Sequence, residues 1–106
     1  MQLRWSGGTV LLDEARDFKS FKVVIEAQDL PPEALTAGFA GIARFDGVET
    51  AWVHEAALRR WPALEADATW QQGLDRMIAK ARPYGWVDDA TGTIRAHVEW
   101  TERTHQ

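Results

Sequence analysis

The chain has 106 residues, of which 45% are apolar and 26% are charged, and a formal net charge of −4 at pH 7. These values are typical of one globular domain, so we assign residues 1–106 to a single α+β domain. The sequence has no basic block, which argues against a nucleic-acid partner, and no cysteine, which excludes disulfides and thiol catalysis. No long apolar run indicates a signal peptide or a membrane span, so we expect a cytoplasmic location and no membrane association.

The N-terminal segment predicts a hairpin followed by a third strand. A Gly-Gly pair at positions 7–8 is typical of a tight turn, and this turn pairs Trp5 with Val10 on one face of the hairpin. Residues 13–20 are charged and aperiodic, which indicates a loop. Residues 21–27 alternate apolar side chains with mostly charged ones, which is typical of a strand.

The central hairpin carries the strongest turn signal of the chain. The pair Asp46-Gly47 favours a two-residue loop in which both residues take a positive φ. This loop pairs Phe45 with Val48 and directs Phe45, Val48 and Trp52 to one apolar face. Four small or apolar residues then fall on the opposite face, namely Ala40, Ile42, Ala51 and Val53.

The main helix is predicted over residues 69–82. Thr69 and Gln72 form a T-x-x-Q capping box at its start, and a proline follows its end. Two shorter helices are expected, one opening at Pro32 and one over residues 55–60. The apolar side chains of the main helix recur at helical spacing and form one stripe, consisting of Trp70, Leu74, Met77, Ile78 and Ala81.

The C-terminal segment predicts a last hairpin over residues 84–100. A turn closed by Gly92 in the left-handed conformation, followed by a bulge, joins its two strands. That register places Trp86 beside Ala96 on the apolar face. Residues 101–106 are expected to form a frayed polar tail.

These segments together predict an α+β fold in two layers. An antiparallel sheet of five or six strands, built from hairpins, is expected to carry the helix of residues 69–82 across one face. Each strand offers one apolar face, and the amphipathic helix is available to cover it. The order of the elements argues against a parallel βαβ fold.

Two histidines are the candidates for catalysis. His97 and Glu99 lie two residues apart on one side of a predicted strand, so an imidazole and a carboxylate would share a face there. The alternative is the polar side of a half-exposed strand. His54 lies at a predicted junction between a strand and a helix, where it serves either a site or the helix end. Two such ligands do not make a metal site, and we expect neither a metal nor a cofactor.

Three hypotheses about function follow from these features. The first is a domain that acts by association, as an accessory subunit or as a homodimer that uses the face carrying Ala40, Ile42, Ala51 and Val53. The second is a domain that binds a small apolar or aromatic molecule between helix and sheet, in a pocket lined by Trp52, Trp70, Met77, Trp86 and Trp100. The third is a small enzyme that uses His97 or His54 as its acid or base.

Overall fold

A computed structural model of the chain describes residues 1–27 and 30–101. Within these residues the chain forms three α-helices, α1 (Pro32–Gly38), α2 (Glu55–Arg59) and α3 (Ala68–Ala81), and a 3₁₀ turn (Arg82–Tyr84) follows α3. The same part of the chain forms seven strands, β1 (Gln2–Ser6), β2 (Thr9–Asp13), β3 (Lys22–Glu26), β4 (Ala43–Asp46), β5 (Thr50–His54), β6 (Val87–Asp88) and β7 (Thr93–Thr101). The predicted α+β fold is confirmed. The tail expected at residues 101–106 begins inside β7, and residues 102–106 lie outside the described residues.

All seven strands belong to one mixed sheet. The strand order is β2-β1-β3-β7-β5-β4, and β6 pairs with the same edge of β7 as β3 does, opposite to β5. β3 runs parallel to both β1 and β7, so the predicted antiparallel sheet of five or six strands is partly wrong: the described sheet is mixed and has seven strands. Parallel neighbours need a crossover, and residues 14–21 supply it. β2 brings the chain back to the start of β1, and these residues then cross to the other edge of β1.

The N-terminal hairpin has the predicted register, but the central hairpin does not. Trp5 pairs with Val10, as expected for a turn centred on the Gly-Gly pair. In the central hairpin Asp46 pairs with Thr50 and Phe45 pairs with Ala51, so the connection has three residues. Only Gly47 takes a positive φ there, at 74°, whereas the expected two-residue turn requires a positive φ at both central residues. The loop is therefore one residue longer than predicted and has a positive φ at one residue instead of two.

The changed register exchanges the two faces of β5. Ala51 and Val53 are fully buried in the core of the chain, and Trp52 lies on the opposite face. A register shift by an odd number of residues has this effect because side chains alternate along a strand. The predicted apolar second face, which combined Ala40 and Ile42 with Ala51 and Val53, is therefore not formed. Ala40 is exposed in the turn after α1, and Ile42 packs partly against the core.

The last hairpin also differs by one residue from its predicted register. Val87 pairs with Ile94 and Asp88 with Thr93, without the expected bulge. The backbone nitrogen of Arg95 donates to the carbonyl oxygen of Trp86 at 2.7 Å, which continues this register. Trp86 therefore lies opposite Arg95 and not beside Ala96, and its side chain falls on the polar face of the sheet.

One face of the sheet carries the core. Register partners such as Leu3, Val23 and Val98 are buried there, and α3 covers them with Trp70 and Leu74. The opposite face is polar, and we call it the open face. It carries Arg4, Lys22, Trp52, Arg95, His97 and Glu99.

The main helix begins one residue earlier than predicted. Asp67 is its N-cap, and Oδ1 of Asp67 accepts a hydrogen bond from the backbone nitrogen of Trp70 at 3.0 Å. Thr69 is therefore inside the first turn, and the predicted capping box is wrong. An aspartate is as good an N-cap as a threonine, and Arg16 also binds this one at 2.6 Å. No helix within the described residues is long and apolar enough to cross a membrane.

Candidate functional site

The six tryptophans divide into two groups. Four of them, Trp5, Trp61, Trp70 and Trp100, pack against the hydrophobic core. Trp70 is fully buried, and its Nε1 donates to the carbonyl oxygen of Ala15 at 2.7 Å. Nε1 of Trp100 donates to the carbonyl oxygen of Val48 at 2.8 Å. The remaining two, Trp52 and Trp86, belong to the open face, so the five residues of the predicted pocket do not line one cavity.

A groove of about 970 Å³ runs along one side of α3, at the edge of the core stripe, which contributes Met77 and Ala81 to its lining. We call it the α3 groove. Two of the five residues expected to bind a ligand, Met77 and Trp86, do line it. Its other lining residues are Arg16, Asp17, Phe18, Lys19, Phe21, Gly73, Arg76, Lys80, Ala81, Pro83, Tyr84, Ile94 and Arg95.

One wall of the α3 groove is a stripe of the helix itself. Gly73, Met77 and Ala81 recur four residues apart, and Arg76 and Lys80 recur beside them. Residues at this spacing lie above one another on one side of a helix. Met77 is buried, whereas the two cations are exposed. The wall therefore presents an apolar base with two positive charges on successive turns.

The opposite wall is the crossover of residues 14–21. Phe18 packs over α3 at Gly73, where a Cβ atom would overlap the phenyl ring. The ring also contacts Trp70, with centroids 6.0 Å apart. The hydrogen bond from Trp70 to Ala15 and the ion pair of Arg16 with Asp67 attach the same crossover to α3. A glycine in this helix therefore permits the close approach that forms the wall.

A pair of exposed aromatic rings closes one end of the α3 groove. Tyr84 and Trp86 stack with centroids 4.6 Å apart and 19° between their planes. They remain 70% and 43% exposed, which is high for side chains of this size. Exposed aromatic side chains that are already stacked offer a rigid apolar surface at little further entropic cost.

The charges of the α3 groove are strongly unbalanced. Its acidic lining residue is Asp17, and Oδ1 of Asp17 accepts a hydrogen bond from the backbone nitrogen of Lys19 at 3.1 Å. Arg16 is neutralised by Asp67, and this hydrogen bond lowers the pKa of Asp67 below its usual value. Within residues 1–27 and 30–101, no carboxylate lies within ion-pair distance of the four other cations of the groove, which are Lys19, Arg76, Lys80 and Arg95.

A smaller cleft of about 260 Å³ adjoins the α3 groove on the open face. It shares Phe21, Trp86 and Arg95 with the groove. Its remaining lining residues are polar, namely Glu49, Thr50 and His97. We call it the open-face cleft.

The predicted catalytic pair is not assembled. Both oxygens of Glu99 accept from Nζ of Lys22 at 3.2 Å, so this carboxylate is engaged by a lysine. His97 points into the open-face cleft and makes no ion pair or hydrogen bond with other described side chains. His54 occupies the N-cap position of α2, but its side chain does not cap the helix. Groups of three or more potential metal ligands are absent from the part of the chain that the structure describes.

Sequence reasoning did not identify the α3 groove. The helical pattern predicts the apolar stripe of α3 but no role for Arg76 and Lys80, and residues 13–20 are predicted only as a loop. One signal was present, because like charges four residues apart in a helix repel each other by a few tenths of a kcal/mol, roughly 0.2–0.5. Two like charges that lower the stability of the helix and have no acidic partner among the described residues favour a role in binding an anion.

Comparison with known proteins adds no family to these observations. No protein-family model, no curated protein and no solved structure matches this chain. The residues of the groove and the cleft are therefore the basis of the functional argument.

Proposed function

We propose that this domain binds a small anionic molecule with an aromatic or apolar body in the α3 groove. The observation that carries the proposal is the placement of Arg76 and Lys80, which have no acidic partner among the described residues, beside Met77 and the stacked rings of Tyr84 and Trp86. This is the second of the three hypotheses drawn from the sequence, moved from the helix–sheet interface to the side of the helix.

The physical basis of binding is the combination of two kinds of contact. An anionic group placed near Arg76 and Lys80 relieves the repulsion between them and gains charge-assisted hydrogen bonds. The body of the molecule would lie on Met77, Phe18 and the ring pair, where burial of apolar area adds to the free energy of binding. The chain as a whole has a net charge of −4, so the cations of the groove are a local exception that favours an anion at this place.

The two other hypotheses have weaker support. For catalysis, His97 lies in the adjoining cleft, but Glu99 is bound by Lys22. For association, Ala51 and Val53 are buried within the chain, so the surface first assigned to a homodimer is not available. A homodimer through another surface stays a prediction, which sedimentation of the purified chain tests.

Binding is tested by titrating the protein with a naphthalene monocarboxylate while recording its heat of binding and its tryptophan fluorescence. We expect the double variant Arg76→Gln/Lys80→Gln to bind about a hundredfold more weakly, because two charge-assisted contacts are lost and each contributes about tenfold. Arg60→Gln is the matched control, since Arg60 is an exposed arginine that does not line the groove. It removes one charge of the same kind and should bind as the wild type does.

A neutral probe separates charge recognition from apolar association. Naphthalene methanol has the same ring system without the carboxylate, and we expect it to bind more weakly than the carboxylate to the wild-type protein. Equal binding of the two probes, or unchanged binding by the double variant, would contradict the proposal. Raising the salt concentration should weaken the carboxylate more than the alcohol, because salt screens exposed charges.

A further inference from the structure

We infer that the natural ligand of the α3 groove carries a second carboxylate, which binds in the open-face cleft beside Arg95. This inference rests on the proposed function, and it narrows the ligand to an aromatic or apolar dicarboxylate. Its basis is that the α3 groove and the open-face cleft share three lining residues, Phe21, Trp86 and Arg95, and that the arginine has no acidic partner among the described residues.

The strand registers explain why the two depressions adjoin each other. β3 pairs with β7 from His97 onward, whereas β6 pairs with the same edge of β7 up to Ile94, and Trp86 extends that pairing to Arg95. Ala96 lies between these two paired segments of β7, and neither β3 nor β6 has a register partner for it. Phe21, which precedes β3, and Trp86, which precedes β6, flank this point and line both depressions. A ligand whose body lies in the α3 groove against Trp86 is therefore adjacent to the residues that line the open-face cleft.

The polar groups of the open-face cleft fit one singly charged anion. Arg95 is exposed and lies opposite Trp52 in the β5–β7 register, and His97 lies opposite Thr50. The guanidinium of Arg95 is suited to bind a carboxylate through two hydrogen bonds, and the hydroxyl of Thr50 offers another donor. Arg95 is not held by any acidic side chain of the described residues, so it needs no rearrangement to bind an anion.

Glu49 limits the charge that the cleft accepts. Its carboxylate is exposed on the β4–β5 turn and lines the same cleft as Arg95. A doubly charged phosphate would meet this carboxylate with twice the repulsion of a carboxylate ligand. One arginine together with neutral donors and one acidic residue favours a group with a single negative charge, and a carboxylate is such a group.

The inference is tested with two naphthalene probes on the full chain. One is the naphthalene monocarboxylate, and the other is the dicarboxylate with its two groups at opposite ends of the ring system. We expect the wild-type protein to bind the dicarboxylate about tenfold more tightly than the monocarboxylate, the scale of one hydrogen bond to a charged group. In Arg95→Gln this ratio should fall to about one, because the partner of the second carboxylate is removed.

The ratio of the two affinities is measured within each variant, so a loss of the first carboxylate's contacts does not affect the conclusion. Arg44→Gln is the matched control, because Arg44 is an exposed arginine on the other side of Trp52 and lines neither depression. It should keep the tenfold preference. Equal binding of both probes to the wild type, or a preference that survives Arg95→Gln, overturns the inference and leaves the proposed function standing. Failure of both probes to bind overturns the proposed function itself.

Discussion

The two ends of the open face use their positive charges in different ways. At the end formed by β1, β2 and β3, Arg4 binds Asp13 and Glu26, each at 2.6 Å, and Lys22 binds Glu99 at 3.2 Å. At the end where β5 and β7 meet the α3 groove, Arg95 has no such partner among the described residues.

This difference separates cations that serve the fold from cations that are available to a ligand. The hydrogen bonds that Arg4 donates to Asp13 and Glu26 raise the pKa of Arg4 above its usual value, which reflects a charge stabilised within the chain. Arg95, Arg76 and Lys80 have no ion-pair partner among the described residues and lie beside exposed aromatic rings. A cation next to an apolar depression, without a partner from its own chain, is the arrangement that an anionic ligand completes.

The largest effect is expected from the two sides of α3. Leu74 is fully buried against the sheet, so Leu74→Ala should lower the free energy of unfolding by about 2–5 kcal/mol. Arg76→Gln, on the groove side of the same helix, should leave it unchanged or raise it by a few tenths of a kcal/mol, roughly 0.2–0.5, because repulsion from Lys80 is removed.

Urea unfolding followed by circular dichroism measures both variants under the same conditions. A loss of stability in Arg76→Gln comparable with that in Leu74→Ala would show that Arg76 is held by contacts within the chain. That result would contradict the proposed difference between the side of α3 that packs on the sheet and the side that lines the α3 groove.

The sequence predicted α3 and the N-terminal hairpin well because both depend on local patterns. Helical spacing of apolar residues placed the helix over residues 69–82, one residue from its bounds of Ala68–Ala81. The Gly-Gly turn fixed the pairing of Trp5 with Val10. By contrast, the parallel position of β3 between β1 and β7 depends on contacts across most of the chain, which no local pattern encodes.

The candidate site was missed for a related reason. A register error of one residue in the last hairpin moved Trp86 from the open face into the expected core, and an odd error in the central hairpin did the same to Trp52. In both hairpins, the length of the loop set which face the residues of one of the two paired strands occupy. The groove also needs Phe18, whose approach to Gly73 joins segments that are distant in sequence. The helix stripe of Arg76 and Lys80 was visible, but nothing local showed what lay opposite.

A smaller effect is expected from the two arginines of the open face. Arg4→Gln removes a partner from two half-exposed carboxylates and should lower the free energy of unfolding by about 1 kcal/mol, near the upper value for single exposed pairs. Arg95→Gln should change the free energy of unfolding little, because Arg95 has no ion pair within residues 1–27 and 30–101. High salt should narrow the difference between the two variants, since it screens the ion pairs of Arg4. Equal losses of unfolding free energy in Arg4→Gln and Arg95→Gln, measured by urea unfolding, would contradict the proposed difference between the two ends of the open face.

The smallest effect concerns Asp67, a paired charge that holds one wall of the α3 groove. Its hydrogen bond from Arg16, and next that from the backbone amide of Trp70, lowers the pKa of Asp67. A carboxylate whose pKa is lower in the folded state contributes stability that is complete above its unfolded-state pKa and is lost as the pH falls through the folded-state value.

Asp67→Asn keeps a capping oxygen but loses the charge, so the variant should be less stable than the wild type at about pH 7. The difference in stability should close below about pH 3.9, the ordinary aspartate value. Urea midpoints measured across this range test the expectation, and Arg16→Gln should reproduce the same closing difference because it removes the other half of the pair. Equal stability of Asp67→Asn and the wild type at every pH would show that Asp67 acts through its cap alone, and the crossover would then be attached to α3 chiefly by the hydrogen bond from Trp70 to Ala15.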